Sequence, residues 1–283
     1  MVDFFSSFKS EIQISFDNLI AEDKIFQDVT TDYLEINEKS VSEITSRTDG
    51  FVSGISIVKS FFNYLNLDCS IVHEVKDGDP VSKNDMFFSF VTSAPDALKI
   101  ERIVLNLIAR CSSICTEVKN WKRIMDPYKV KLLDTRKTAP GNRYFDKYSV
   151  FIGGGGNHRF NLADEVLIKE NHLIFFKDLK SAIQKIQKNN KFKTVVVEVE
   201  NMKQLQEICK LNFDRVIFDN WKYEEISEGI KLAKEKNKDV ELSGGINLSN
   251  LDSYCLLKPD FVSAGSVTNP SKDFDISMLL KRY

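Results

Sequence analysis

Apolar positions recur along this chain with two different periods, and the change from one to the other divides it. At the start, Phe5, Phe8, Ile12, Phe16 and Ile20 fall three or four residues apart, which predicts a helix over about residues 1–20 packed on its own domain. From about Tyr33 to Val91 the spacing shortens. Gly50-Phe51-Val52-Ser53-Gly54, Ser70-Ile71-Val72 and Met86-Phe87-Phe88-Ser89-Phe90-Val91 read as strands, with a helix near 57–65 and a turn at Asp77-Gly78-Asp79-Pro80. Strands grouped with a helix, without regular alternation, predict an α+β sandwich. A long helix over about 95–125 follows, with Ile103, Leu107, Cys111, Ile114, Val118 and Trp121 as its apolar stripe.

Beyond that helix the order becomes regular. Val130–Leu133, Val166–Ile168, Thr194–Glu198, Val216–Asp219, Val240–Ser243 and Phe261–Ala264 are short apolar runs, each followed by or ending in polar residues. Helical patterns over 202–211, 223–237 and 248–257 separate the later ones. Such alternation predicts successive βα units, and therefore a parallel barrel or sheet.

Parallel strands bring their carboxyl ends to one edge, where folds of this kind bind ligands. Arg136, Lys137, Arg159 and Lys169 fall there and suit carboxylates or phosphates, so the substrate is expected to be an anion with several charges. Glu198 and Asp219 end apolar strands, where an unpaired carboxylate is costly; each either pairs with a core cation or faces a ligand. Glu200 shares a face with Glu198 by two-residue alternation. Ser243-Gly244-Gly245 and Ser263-Ala264-Gly265-Ser266 are structural turns or phosphate cradles, since glycine-rich turns opening helices present N–H groups to an anion. The run Gly153–Gly156 allows close backbone approach, yet matches neither the dinucleotide G-x-G-x-x-G nor the P-loop pattern. His158 and His172 are each either ligand-facing or hydrogen-bonded structural histidines, with His158 preferred because it lies between the glycines and Arg159.

Composition narrows the classes. A formal net charge of −2 with 28% charged residues gives no general attraction to nucleic acid, and 42% hydrophobic content supports a sizeable core. No apolar run approaches the roughly 18 residues that span a membrane, and the first residues lack a basic-then-apolar leader. The cysteines, at 69, 111, 115, 209 and 255, form no C-x-x-C pair, so buried free thiols in a reducing cytoplasm are expected.

Asp134-Thr135-Arg136-Lys137-Thr138, Pro140-Gly141, Asn157-His158-Arg159 and Leu167-Ile168-Lys169-Glu170-Asn171-His172, in this order, resemble the quinolinate phosphoribosyltransferase family. Glu101-Arg102, Leu105-Asn106 and Arg110 match another of its blocks, and the Ser-Gly-Gly-Ile run at 243–246 and Ser263-Ala264-Gly265 match two more. The chain departs from the family at Asp28-Val29-Thr30-Thr31, where glycines are missing, at Cys111–Thr116, and at Thr268-Asn269-Pro270 in place of Thr-His-Ser.

The resemblance implies an N-terminal α+β open sandwich (1–112), an incomplete parallel α/β barrel (113–270) and a C-terminal segment (271–283) packing back on the first domain. It implies phosphoribosyl transfer from phosphoribosyl pyrophosphate to quinolinate with decarboxylation, giving nicotinate mononucleotide in de novo NAD biosynthesis. Arg136, Lys137, His158, Arg159 and Lys169 would then hold the dicarboxylate, joined by Arg102 from the other subunit of a homodimer with shared sites. Glu198 and Asp219 would meet the ribose hydroxyls, directly or through Mg²⁺, and steady charge at the anomeric carbon. Lys137, Glu198 and Asp219 are the expected catalytic set, and Ser243, Gly244, Gly245, Ser263 and Gly265 the phosphate contacts. Two other readings are a related phosphoribosyltransferase with a different acceptor, such as the molybdenum-transport-associated homologue, and a catalytically silent anion-binding barrel.

Overall fold

The computed structural model describes residues 4–189, 193–270 and 272–283, and the chain forms two compact units. Unit 1 comprises 1–119, 138–154 and 267–283; unit 2 comprises 120–137 and 155–266. The spans expected above are contiguous, whereas these units are interleaved in sequence. The first three residues of the expected N-terminal helix, and Ser271 of the expected C-terminal segment, lie outside the described residues.

Unit 1 contains helices α1 (Phe4–Ser7), α2 (Lys9–Asp23), α3 (Val29–Tyr33) and α4 (Ile55–Tyr64), and the first part of α5 (Ala94–Met125). Its strands before that helix are β1 (Lys39–Ser46), β2 (Gly50–Phe51), β3 (Ser70–Glu74), β4 (Pro80–Val81) and β5 (Met86–Ser93). The remaining segments supply α6 (Arg143–Ile152) and β12 (Ile276–Arg282). An antiparallel sheet in the order β12-β1-β5-β3 packs on the helices, so the expected α+β class holds. Phe87, Phe88 and Phe90 meet Ile57, Val58, Phe61 and Phe62 of α4 and Ile103, Leu107 and Cys111 of α5 in one core. The expected N-terminal helix divides at Phe8, and its Ile12 and Phe16 reach this core, Phe16 lying 5.2 Å from Phe61 and 5.7 Å from Phe145 between ring centres.

Two acidic positions of unit 1 are helix caps. Asp28 accepts from the amides of Thr30 and Thr31 and starts α3. Asp77, in the Asp-Gly-Asp turn, accepts from the Ile55 and Ser56 amides at 2.9 and 3.1 Å, so it caps α4 from a distance while also taking the Tyr148 hydroxyl at 2.7 Å.

Unit 2 holds the remainder of α5, then β6 (Lys131–Leu133), β7 (Val166–Ile168), α7 (Glu170–Leu173), α8 (Leu179–Asn189), β8 (Val195–Val199) and α9 (Met202–Ile208). It continues through β9 (Arg215–Asp219), α10 (Tyr223–Glu235), β10 (Asp239–Ser243), α11 (Leu251–Leu256) and β11 (Phe261–Ser263). Its strands pair in the order β6-β11-β10-β9-β8-β7, all parallel. Consecutive strands from β7 to β11 are neighbours and β6 closes on β11, leaving β6 and β7 as the two ends: the expected incomplete barrel. Val196, Val197, Val216, Phe218, Val240, Leu242 and Val262 are fully buried or nearly so, as interior parallel strands require.

Within the glycine run Gly154 takes a positive φ of 91°, as glycine allows, while Gly153 and Gly156 serve packing and pairing. Gly156 extends the free side of β6, its amide donating to Leu132 O at 2.8 Å and its carbonyl accepting from Asp134 N at 3.2 Å. A Cβ at Gly153 would lie 2.6 Å from the Val118 Cβ, so close packing requires glycine there, while one at Gly156 would press at 2.8 Å on the tip of the Leu133 side chain.

Candidate functional site

Strand register fixes what shares the barrel mouth. Glu198 aligns with Ile217, and Ile217 with Glu241, forming one row of inward-facing residues; two positions further on, Asp219, Ser243 and Ser263 align as the next. Above them lies a cavity of about 410 Å³, lined by Thr135, Arg136, Lys137, His158, Arg159, Leu167, Lys169, Glu170, Glu198, Glu200, Ile217, Asp219, Glu241, Ser243 and Ser263.

Nine of the sequence-derived site residues therefore meet in one place: Arg136, Lys137, His158, Arg159, Lys169, Glu198, Asp219, Ser243 and Ser263. Gly244, Gly245 and Gly265 lie in the turns just beyond. Gly244 (φ +89°) has no room for a Cβ beside the Asn220 side chain, and Gly265 leaves space for the stem of Lys137, whose Cδ a Cβ would approach at 2.8 Å. Arg102 is exposed on α5 in unit 1 and is not among the cavity residues. His172 accepts the Lys169 amide at 3.2 Å on Nδ1, which ties it to the start of α7.

Like charges are crowded in two groups. Burial and the neighbouring Arg136 both push the Arg159 guanidinium below its ordinary value, outweighing the nearby Glu165 and Asp164. Burial, a hydrogen bond to Glu170 and the charge of Asp219 together raise Glu198 to about 7, while Glu170, which takes that hydrogen bond, is lowered. Of the two, Glu198 is therefore the carboxyl that holds a proton more readily and donates it toward Glu170.

Beneath the cations the wall is built from buried ions. Asp134, fully buried after β6, accepts from Asn157 Nδ2 at 2.9 Å and the His158 amide at 2.7 Å. The His158 ring has Glu165 Oε1 2.7 Å from Nδ1 and Glu241 Oε1 3.4 Å from Nε2. Glu241 is also held by Arg215 Nη1 at 3.1 Å and by the Ser263 hydroxyl. His158 thus lines the cavity with both nitrogens facing carboxylates.

Sequence reasoning did not assign Glu165, Glu170 or Glu241 to the site. Glu170 sits inside a quoted motif, and Glu241 interrupts the apolar run Val240-Glu241-Leu242, a signal that its carboxylate is buried and partnered. Among the described residues no group of three or more His, Cys, Asp or Glu is disposed to hold a metal ion.

Comparison with known proteins covers nearly the whole chain. The family models described as "Quinolinate phosphoribosyl transferase, N-terminal domain" and "C-terminal domain" match residues 28–112 and 114–279. A Bacillus subtilis protein named "Probable nicotinate-nucleotide pyrophosphorylase [carboxylating]" is 34% identical over 252 residues, covering 89% of this chain and 87% of its own. The crystal structure of nicotinate-nucleotide pyrophosphorylase from Ehrlichia chaffeensis superposes with a TM-score of 0.87 at 34% identity, covering 97% and 98% of the two chains. That of NadC from Streptococcus pyogenes gives 0.86 at 27% identity, covering 99% of each.

Proposed function

The chain belongs to the quinolinate phosphoribosyltransferase family, and from that premise we propose that the cavity of unit 2 transfers phosphoribose from phosphoribosyl pyrophosphate to quinolinate. The products are nicotinate mononucleotide, pyrophosphate and carbon dioxide, the committed chemistry of de novo NAD synthesis. The observation that carries this reading is the cavity itself, where Arg136, Lys137, Arg159 and Lys169 stand opposite Glu198 and Asp219. A simple anion site gains nothing from carboxylates facing the cations; a reaction that gathers two anions and develops positive charge on a sugar uses both.

The four cations, with the charge of His158, hold the two carboxylates of quinolinate, and the forked guanidiniums fix the ring plane. Orientation of this kind can contribute roughly 7–11 kcal/mol in favourable systems. The bond from the anomeric carbon to pyrophosphate breaks with its electron pair on the leaving group. Glu198 and Asp219 stabilise the oxocarbenium character left on the ribose, and the pyridine nitrogen forms the new bond. The C2 carboxylate then departs as carbon dioxide; its electron pair, stabilised by the adjacent pyridinium, takes up a proton at C2. Ser243-Gly244-Gly245 and Ser263 with Gly265 offer turn amides to the 5′-phosphate.

The acidic cluster fits a divalent cation, because the charge of Asp219 on Glu198 is relieved by one, but the donors do not form a cage. A magnesium ion would therefore be held mainly by the pyrophosphate, with Glu198 and Asp219 nearest, and would neutralise the leaving group. Exposed Arg102 is assigned to the neighbouring site of a homodimer, and the free cysteines support a reducing cytoplasm. No helix among the described residues is long and apolar enough to cross a membrane.

Purified protein incubated with both substrates and magnesium should yield nicotinate mononucleotide and carbon dioxide in equal amounts. Absence of both products, or turnover with a different pyridine acceptor only, would overturn the reading.

A further inference from the structure

The wall below the cations contains four ionisable side chains whose charges must be balanced away from water. Side-chain exposure is 1% for Glu241, 8% for His158, 14% for Glu165 and 17% for Arg215. Arg215 also lies over the Phe261 ring, 4.1 Å from its centre, while its Nη1 supplies a positive charge to Glu241. With a neutral histidine the group would carry one uncompensated negative charge beneath a pocket meant for a dianion. With an imidazolium it is neutral.

The carboxylate oxygens beside the ring nitrogens point the same way. A neutral imidazole has one N–H and must present a lone pair at its other nitrogen; an imidazolium donates from both. Here a carboxylate oxygen stands at each nitrogen, and those two oxygens, Glu165 Oε1 and Glu241 Oε1, are buried without a hydrogen-bond partner among the described residues, so a proton on each ring nitrogen is what would satisfy them. The Arg159 amide donates to Nδ1 at 3.1 Å, a bond that a proton on Nδ1 gives up in exchange for the shorter contact to Glu165 at 2.7 Å.

We propose that Glu165 and Glu241 are positioning residues that grip His158 from both sides and keep it an imidazolium facing the anionic substrate. The inference rests on the quinolinate reading for the identity of that anion. Burial alone would lower the histidine, yet the hydrogen bonds and charges of Glu165 and Glu241 outweigh it and raise His158 to about 9. The other charged groups around it are Asp134, which takes its backbone amide, Arg215 behind Glu241, adjacent Arg159, and Arg136, Lys137, Lys169, Glu170, Glu198, Glu200 and Asp219 lining the cavity. The cations among these oppose protonation and the carboxylates favour it, but Glu165 and Glu241 are the ones in contact with the ring and the ones that raise it.

The test is a ¹⁵N-histidine NMR titration of the full chain, with the three histidines assigned by single substitution, beside KM for quinolinate from pH 6 to 8. In the parent protein His158 should carry protons on both nitrogens throughout that range. Glu165→Gln and Glu241→Gln should each move its titration down by about one unit or more. Each should also raise KM at pH 8 by about twofold or more relative to pH 6, reaching about tenfold if the titration falls to near 7, while the parent's KM stays nearly flat. Rescue by Glu165→Asp, but not by Gln, would support a charge role over packing. A parent His158 titrating near 6.5, or a titration unmoved by both substitutions, would overturn the proposal. Should Glu241→Gln fail to fold, the more exposed Glu165 decides. Because the titration needs no turnover, failure of the reaction reading would show as absent product with the histidine still charged.

Discussion

In unit 1 the Asp146 carboxylate is closed off on every side. Arg110 forks onto it at 2.6 and 2.8 Å, the Ala139 amide adds a bond at 3.0 Å, and the same arginine donates to Thr268 O at 3.1 Å. The carboxylates at the strand ends of unit 2 face each other instead, and the guanidiniums of Arg136 and Arg159 do the same. Both arrangements perturb protonation: burial raises Asp146 despite its partner, and burial with repulsion raises Glu198 to about 7. A shifted group therefore does not by itself mark a site. What separates the two regions is whether charges are matched inside the fold or left for something else to match.

The largest test of that contrast is on the unmatched side. Arg136→Ala should lower kcat/KM for quinolinate by about 10³-fold or more, roughly 4 kcal/mol, with a Tm close to the parent's. Near-normal turnover would remove the carboxylate clamp. On the matched side, Arg110→Met leaves Asp146 buried without its cation and should cost about 3 kcal/mol in urea unfolding. Combining it with Asp146→Leu should recover part of that loss, whereas Arg136→Ala has no such partner to delete.

Glu198→Gln should lower kcat by about 10²-fold and remove the acidic limb near pH 7 from the rate profile. Its effect on stability is smaller and of opposite sign. A carboxyl raised above its ordinary value stabilises the fold most below that value and loses the contribution as pH rises through about 7. The Gln variant should therefore gain in Tm over the parent between pH 5 and 8, and a constant difference across that range would contradict the raised Glu198.

Where one periodicity dominates, the sequence is readable to a residue or two. Ile103, Leu107, Cys111, Ile114, Val118 and Trp121 form the stripe of α5, and all are buried. Helix α6 carries a stripe at Tyr144, Phe145, Tyr148, Phe151 and Ile152, but no helix is expected there, and its polar residues Asp146 and Lys147 are buried as well, which the pattern does not announce. Strand β12 is hidden for another reason: its partner β1 lies more than two hundred residues earlier, and its own burial is partial. Helix α8 does carry a stripe at Leu179, Ala182 and Ile183, but the reading above places no helix there.

The site divides similarly. Cations and carboxylates at strand ends are legible because parallel strands deliver their ends to one edge. The buried partners Glu165 and Glu241 belong to pairings between distant segments, which spacing along the chain does not encode. Glycines mislead where flexibility and close packing leave the same letter, as in Gly153 and Gly156.

The bridge between Gly156 and β6 bears on how the protein behaves while it is being made. An open parallel sheet ends in rows of amides and carbonyls that can recruit a strand from another chain. Here β6 is three residues long and its outer side is taken by a glycine from the same chain, while β7 at the opposite end is equally short. A bulkier residue at 156 would push this cap away, so its first symptom should be self-association during refolding, before any loss of binding.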